Sequence, residues 1–290
     1  MADLRAGPDS DSVAAPRAGS KFADLKTRAG PALIVSVLAG VCIWLGGFWI
    51  AAIAALAAGL MMAEWRSITG TRLDKPLVTG GIYIFTCGWV PLVAWAQGWG
   101  LAVFGLVALG LYGLIADWRR GDRPEGLWSM LGASYIGLAA LAFVLLREVE
   151  PFGLISIVWA ALVVVAADVG GYFAGRTFGG PKLWPAVSPK KTWSGLGGAI
   201  VLAFLTGGIF SWATTGTYFL QVCAVSVVAA VLAQAGDIAE SALKRHFGVK
   251  DSGTILPGHG GVLDRLDGHM AAVLVAAAVT FSRGQPVFIW

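Results

Sequence analysis

With 290 residues, 57% of them hydrophobic, 13% charged and a net charge of +4, the chain lacks the composition of a water-soluble domain, in which roughly 25% of residues are charged. A soluble fold of this length could not bury so much apolar surface, so the sequence reads as an all-α, polytopic integral membrane protein. Its few basic residues lie beside apolar segments, where membrane topology and anionic headgroups account for them, and no nucleic-acid partner is expected.

Residues 1–30 are rich in Ala, Gly, Pro, Ser and Asp and hold too few large apolar side chains to order themselves, so they read as a flexible cytoplasmic tail rather than a cleaved leader. Residues 31–150 form a first block of membrane helices. The apolar runs 31–63 and 82–116 are too long for single spans, because about 20 helical residues cross a hydrocarbon core of about 30 Å. Gly46-Gly47 and Gln97-Gly98 interrupt them and predict two helical hairpins. Spans are expected near 31–46, 48–65, 80–96, 99–117, 127–146, 152–175, 195–213 and 217–240, with a shorter ninth near 269–287.

Basic residues near helix ends are retained in the cytoplasm. Lys21, Lys26 and Arg28, then Arg66, Arg72 and Lys75, then Arg119, Arg120 and Arg123 make every second loop basic. The N-terminus is therefore expected inside and Trp290 outside, with Arg147 the exception to the pattern. Cys42, Cys87 and Cys223 stand alone in apolar segments and read as packing residues. Trp44, Trp49, Trp65, Trp89, Trp118 and Trp128 fall near expected helix ends, as an interfacial belt requires. Glu64-Trp65-Arg66 and Asp117-Trp118-Arg119-Arg120 read as solvated helix ends.

The block 151–290 differs. Asp168 interrupts an apolar run, and a carboxylate at membrane depth is a functional candidate by default. Gly171 and Gly175 share its helix face and would let a neighbouring helix or a ligand come close. The loop 179–195 follows, where Ser188, Lys190, Lys191 and Thr192 offer donors to phosphate oxygens and Pro189 prevents helix. The strongest concentration lies between Gln234 and Gly268. Asp237, Glu240, Ser241 and Lys244 fall at i, i+3, i+4 and i+7, on a helix face too polar to meet lipid. Lys244, Arg245, Lys250, Asp251, His259, Asp264, Arg265 and Asp267 then crowd into 24 positions, and Gly258, Gly260 and Gly261 free the backbone around His259.

Several carboxylates without clustered Cys or His are hard oxygen donors suited to Mg²⁺ or Mn²⁺. Lysines and arginines beside them imply an anionic substrate, and the combination is the equipment of phosphoryl or nucleotidyl transfer. Walker A, GxSxG and HExxH patterns are missing from the sequence, which removes support for soluble NTPases, hydrolases and zinc proteases.

The stretch SALKRHFGVKDSGTILPGHGGVLDRLDG resembles the signature of the phosphatidate cytidylyltransferases, in Ser241, Lys244, Arg245, Lys250, Asp251, Pro257, His259, Gly260, Gly261, Asp264, Arg265 and Asp267. The resemblance takes in the segment from Asp168 to Gly175, the loop Ser188-Pro189-Lys190-Lys191-Thr192 and the pair Gly236-Asp237, roughly the C-terminal 125 residues. It implies a Mg²⁺-dependent transfer of a cytidylyl group from CTP to phosphatidic acid within the bilayer, giving CDP-diacylglycerol and pyrophosphate. It also implies Asp237 and Asp264 as first metal ligands, with Asp168, Asp251 and Asp267 behind them. Lys190, Lys191, Lys244, Arg245, Lys250 and Arg265 would clamp phosphates, and His259 would donate to phosphate or carry a proton. A bacterial inner membrane with the site facing the cytoplasm is expected. The resemblance further points to a homodimer, for which the apolar helices show no interface. The alternatives are a CDP-alcohol phosphotransferase, whose aspartate pattern is not found, a polyprenyl-phosphate transferase, an inert scaffold, against which the intact acids and bases argue, and a secondary transporter using Asp168, Asp237 and Lys244 as a relay. The last would carry internal repeats, yet the polar groups gather in the C-terminal third.

Overall fold

The computed structural model describes residues 20–69, 77–119, 121, 123–253 and 260–290. Among these, the chain forms an up-and-down bundle of nine α-helices: α1 (Ser20–Leu45), α2 (Gly47–Ile68), α3 (Leu77–Gln97), α4 (Trp99–Arg119), α5 (Arg123–Arg147), α6 (Gly153–Phe178), α7 (Trp193–Ala213), α8 (Phe219–His246) and α9 (Leu263–Arg283). Six of them, α2 and α4 to α8, are long and apolar enough to cross a membrane, which makes this a multi-pass membrane protein. The apolar part of α1 and that of α3 are shorter, and α9 begins with charged residues.

Both expected breaks are present. Gly46 (φ 66°) separates α1 from α2 and Gly98 (φ 88°) separates α3 from α4, left-handed conformations that glycine adopts without a Cβ penalty. α1 starts at Ser20, so residues 20–30, read above as tail, are helical; residues 1–19, Arg72, Lys75 and Arg120 lie outside the described residues.

Arg147, the exception to the charge pattern, has a structural task. It donates from Nε to Ile43 O (2.8 Å) and from Nη2 to Trp44 O (2.9 Å), so it satisfies the last carbonyls of α1. Its neighbour Glu148 accepts from Gly47 N (3.0 Å) at the start of α2. Arg147→Ala is expected to lower stability by about 1–2 kcal/mol, read as a lower Tm in detergent with unchanged activity.

The main core lies between α5, α6, α7, α8 and α9. It is built of small residues such as Ala167, Ala199, Ala229 and Ala272 around the fully buried Trp159, whose Nε1 donates to Ser226 Oγ (2.9 Å). Trp159 is thus a core residue, while Trp44, Trp49, Trp89 and Trp118 are exposed as the belt requires. Cys42, Cys87 and Cys223 are buried and unlinked. α6 packs tightly against α7. A Cβ on Gly170 would run into the backbone of Gly198, and one on Gly198 into Gly170 and Ala174, so only glycine permits this approach. Gly171 and Gly175 face Gly195 in the same seam, so a neighbouring helix comes close there, and Gly171 also borders a cavity.

Two further sequence readings are corrected. The loop 179–195 contains a short antiparallel hairpin, β1 (Lys182–Trp184) with β2 (Ser188–Thr192), pairing Lys182 with Thr192 and Trp184 with Ser188. Pro189 is compatible because each strand of a two-stranded ribbon has a free edge; the polar run SPKKT gives no alternation to announce it. The ends of α2 and α4 are not solvated at their acids. Glu64 is 3% exposed and Asp117 4%, Trp65 Nε1 donates to Trp128 O (2.8 Å), and Arg66 donates to Ser129 Oγ (3.1 Å). Neighbouring helices close over these polar groups and supply their partners, which one helix read alone cannot show.

Candidate active site

Charged side chains collect where α6 and α8 end and α7 and α9 begin. The glycine seam brings the start of α7 against α6, and Thr192 caps α7 by accepting from Gly195 N (3.0 Å). This sets β2 beside α8, and Lys191 Nζ reaches Asp237 Oδ2 at 2.6 Å and Gln234 O at 3.3 Å. Gln234 Nε2 in turn donates to Asp168 Oδ1 (2.8 Å), so α6, β2 and α8 are joined through the side chains of Asp168, Gln234, Lys191 and Asp237.

Across from them lies α9. Asp237, Glu240 and Asp267 each offer an oxygen within 4.8 Å of the others. Glu240 is 8% exposed; its Oε2 meets Lys244 Nζ (3.1 Å), and its Oε1 is buried with no hydrogen-bond partner among the described residues. Lys244 also binds Asp264 Oδ1 (2.7 Å). Asp264 accepts further from Ser252 N (3.1 Å to Oδ2) and Gly261 N (3.0 Å to Oδ2). Burial alone would raise the Asp264 carboxyl, yet the Lys244 ammonium and these backbone N–H groups hold it well below the usual carboxylate range. Asp267, one turn further, is pushed upward by burial and by the nearby Asp237 carboxylate. Acids crowded so closely, one with an unpartnered oxygen, fit a hard divalent cation.

Two cavities open here. One of about 210 Å³ is lined by Asp168, Asp237, Glu240, Lys244, Asp264, Arg265, Asp267 and His269. The other, about 190 Å³, is lined by Asp168, Tyr172, Lys190, Lys191, Thr192 and Gln234. Asp168 borders both, and the Lys191–Asp237 pair stands between them. An acidic chamber thus adjoins a basic one, an arrangement that can hold a metal beside a phosphate chain.

Not every sequence candidate reaches a cavity. Ser188 lies in β2 away from both, Lys250 and Asp251 are exposed, and exposed Arg245 donates to Val249 O (3.4 Å). Ser241 Oγ sits 3.4 Å from Asp237 Oδ1 and supports it. Gly260 (φ 83°) passes so close to Asp264 that a Cβ would lie 2.9 Å from Oδ2. His259 is outside the described residues. Conversely, the structure adds Gln234 and His269 to the cavity walls, and Tyr135, which donates to Asp267 O (3.4 Å). Glu240 was legible as the i+3 partner of Asp237; Tyr135 comes from a distant helix and gives no local signal.

A multi-helix membrane protein with converging acids and lysines at one end of the bundle belongs, by class, with the membrane enzymes that handle phosphates. Residues 26–282 match the model of the cytidylyltransferase family. The chain is 39% identical over 265 residues to the phosphatidate cytidylyltransferase of Brucella melitensis biotype 1, covering 87% of this chain and 91% of that protein. It is 37% identical over 261 residues to that of Brucella suis biovar 1, with the same coverage. With that of Bacillus subtilis it shares 44% identity over 138 residues, 47% of this chain and 51% of that protein. The chain belongs to the phosphatidate cytidylyltransferase family.

Proposed function

We propose that this protein transfers the cytidylyl group of CTP to phosphatidic acid, releasing pyrophosphate and leaving CDP-diacylglycerol in the membrane. The observation that carries the reading is the junction of the acidic and basic cavities at the Lys191–Asp237 pair, in a chain of this family. Asp237 and Asp264, with Glu240 and Asp267 converging on the same cavity, would hold Mg²⁺, and the unpartnered Glu240 Oε1 supports that fit. When bound, the metal supplies charge neutralisation at the phosphates of CTP.

The chain's own residues bind and orient. Lys190 and Lys191 present ammonium groups to the phosphate chain, and Arg265 extends the positive charge to the mouth of the acidic cavity. A lipid phosphate oxygen attacks the α-phosphorus of CTP as the bond to the β-bridging oxygen breaks. No general base is required, because a phosphate monoester is already largely ionised near pH 7. Lys244 neutralises Glu240 and Asp264 between turnovers. Ser188, Arg245, Lys250, Asp251 and His259 are proposed to act at the rim with the substrates present, and Asp168 to orient Gln234. All nine helices are proposed to span a bacterial inner membrane, with the N-terminus and the site on the cytoplasmic side; this follows from the basic loops. A homodimer is proposed by resemblance alone.

The test is formation of labelled CDP-diacylglycerol from labelled CTP and phosphatidic acid by the purified full-length protein in proteoliposomes. Product is expected with Mg²⁺ and none after EDTA, with recovery on adding Mg²⁺ back. A folded protein that makes no product with any divalent metal would refute the reading.

A further inference from the structure

Glu64 lies near the end of α2, in the half of the chain that carries no part of the signature, yet its carboxylate meets the start of α9. Its carboxylate is 3% exposed and accepts from Val262 N (3.0 Å, 198 residues away) and Leu263 N (2.8 Å). Val262 is the N-cap of α9 and makes no side-chain cap of its own, so these first amides would otherwise be orphaned. A carboxylate there is favoured twice, as acceptor and as an anion at a helix N-terminus. Two glycines of the segment between α8 and α9 lie against it. A Cβ on Gly253 would fall 2.7 Å from Glu64 Oε1, and one on Gly261 would fall 2.7 Å from Oε2. Gly261 N also binds Asp264, the residue after Leu263. One turn of chain is therefore gripped by Glu64 on one side and closed on Asp264 on the other.

We propose that Glu64 is a positioning residue for the reaction, fixing the turn that sets Asp264 and Asp267 opposite Asp237 and Glu240. It lines neither cavity and acts through backbone alone. The inference rests on the metal-dependent reading given above. Glu64→Gln replaces one acceptor by an amide that meets a backbone N–H donor to donor; Glu64→Asp keeps the charge on a shorter stem; Glu64→Ala removes both acceptors.

The experiment measures Mn²⁺ binding to the full-length protein by electron paramagnetic resonance, together with the Mg²⁺ concentration for half-maximal activity and the KM for CTP. Supporting residues around metal ligands are commonly worth about 10–100-fold in metal affinity. Glu64→Gln and Glu64→Ala are expected to weaken Mn²⁺ binding about tenfold or more and to raise the Mg²⁺ requirement alike, with KM for CTP nearly unchanged and partial recovery in Glu64→Asp. Arg147→Ala, destabilised at the opposite end of the bundle, is expected to bind Mn²⁺ as the native protein does. A Glu64→Gln protein with lowered Tm but native Mn²⁺ affinity would overturn the proposal. Should the Glu64 variants not fold, hydrogen exchange on the native protein decides: Mn²⁺ slowing exchange at Val262 and Leu263 supports the coupling, and no change there refutes it. A native protein that neither binds Mn²⁺ nor makes product would defeat the reaction itself, and the inference with it.

Discussion

Asp237→Asn is expected to lower kcat by about a thousandfold or more, roughly 4 kcal/mol of transition-state stabilisation, while the helices remain intact by circular dichroism. The substitution keeps the size of the side chain and removes one charge. That charge faces two ways. It is one of three carboxylates whose oxygens lie within 4.8 Å of one another, and it binds Lys191 at 2.6 Å. Losing it weakens the hold on a divalent cation and releases the lysine that stands between the two cavities. Binding of CTP should suffer less than turnover, because Lys190 and Lys191 both keep their positive charge beside the basic cavity. Steady-state kinetics at saturating Mg²⁺ tests this, and an Asp237→Asn protein with more than about a tenth of native kcat would remove Asp237 from the metal site.

The second large effect is expected at the Lys244–Asp264 pair. Asp264→Asn removes the charge that Lys244 and the amides of Ser252 and Gly261 all address. Product formation is expected to fall at least about a hundredfold, as when a single electrostatic contact to a transition state is lost. Lys244→Met works differently. It leaves Glu240 and Asp264 facing one another without their shared cation, and breaking such a partly buried pair from one side costs several kcal/mol, here about 2–3 given its partial exposure. Lys244→Met is therefore expected to lower Tm and activity together, whereas Asp264→Asn lowers activity mainly. If both variants showed the same Tm loss and the same residual turnover, the pair would be a structural brace rather than part of the site.

Much of the site was legible because its residues lie close in sequence. Asp237, Glu240, Ser241 and Lys244 follow helical spacing, and Asp264 and Asp267 are one turn apart on α9, so one face of each helix could be drawn before any packing was known. The breaks at Gly46 and Gly98 were legible for a similar reason, since glycines inside an apolar run too long for one span leave few other places to turn. Local chemistry did not reveal the β1–β2 hairpin, whose strands are short and polar.

Sequence by itself determined the membrane character, the order of the helices and the chemical class of the site, because hydropathy, helical period and charge type are properties of a residue and its near neighbours. Tertiary structure alone decided which acids meet. It put Glu240 and Asp267 in one cluster with Asp237 while Asp264 pairs with Lys244, made Arg147 a cap for α1, and turned Glu64 from an apparent solvated end into a buried acceptor for the first amides of α9. The physical reason is the same in each case. A buried charge or an orphaned helix-end amide must find a partner, and in a bundle that partner comes from whichever helix packs alongside, at a sequence distance that no local pattern encodes.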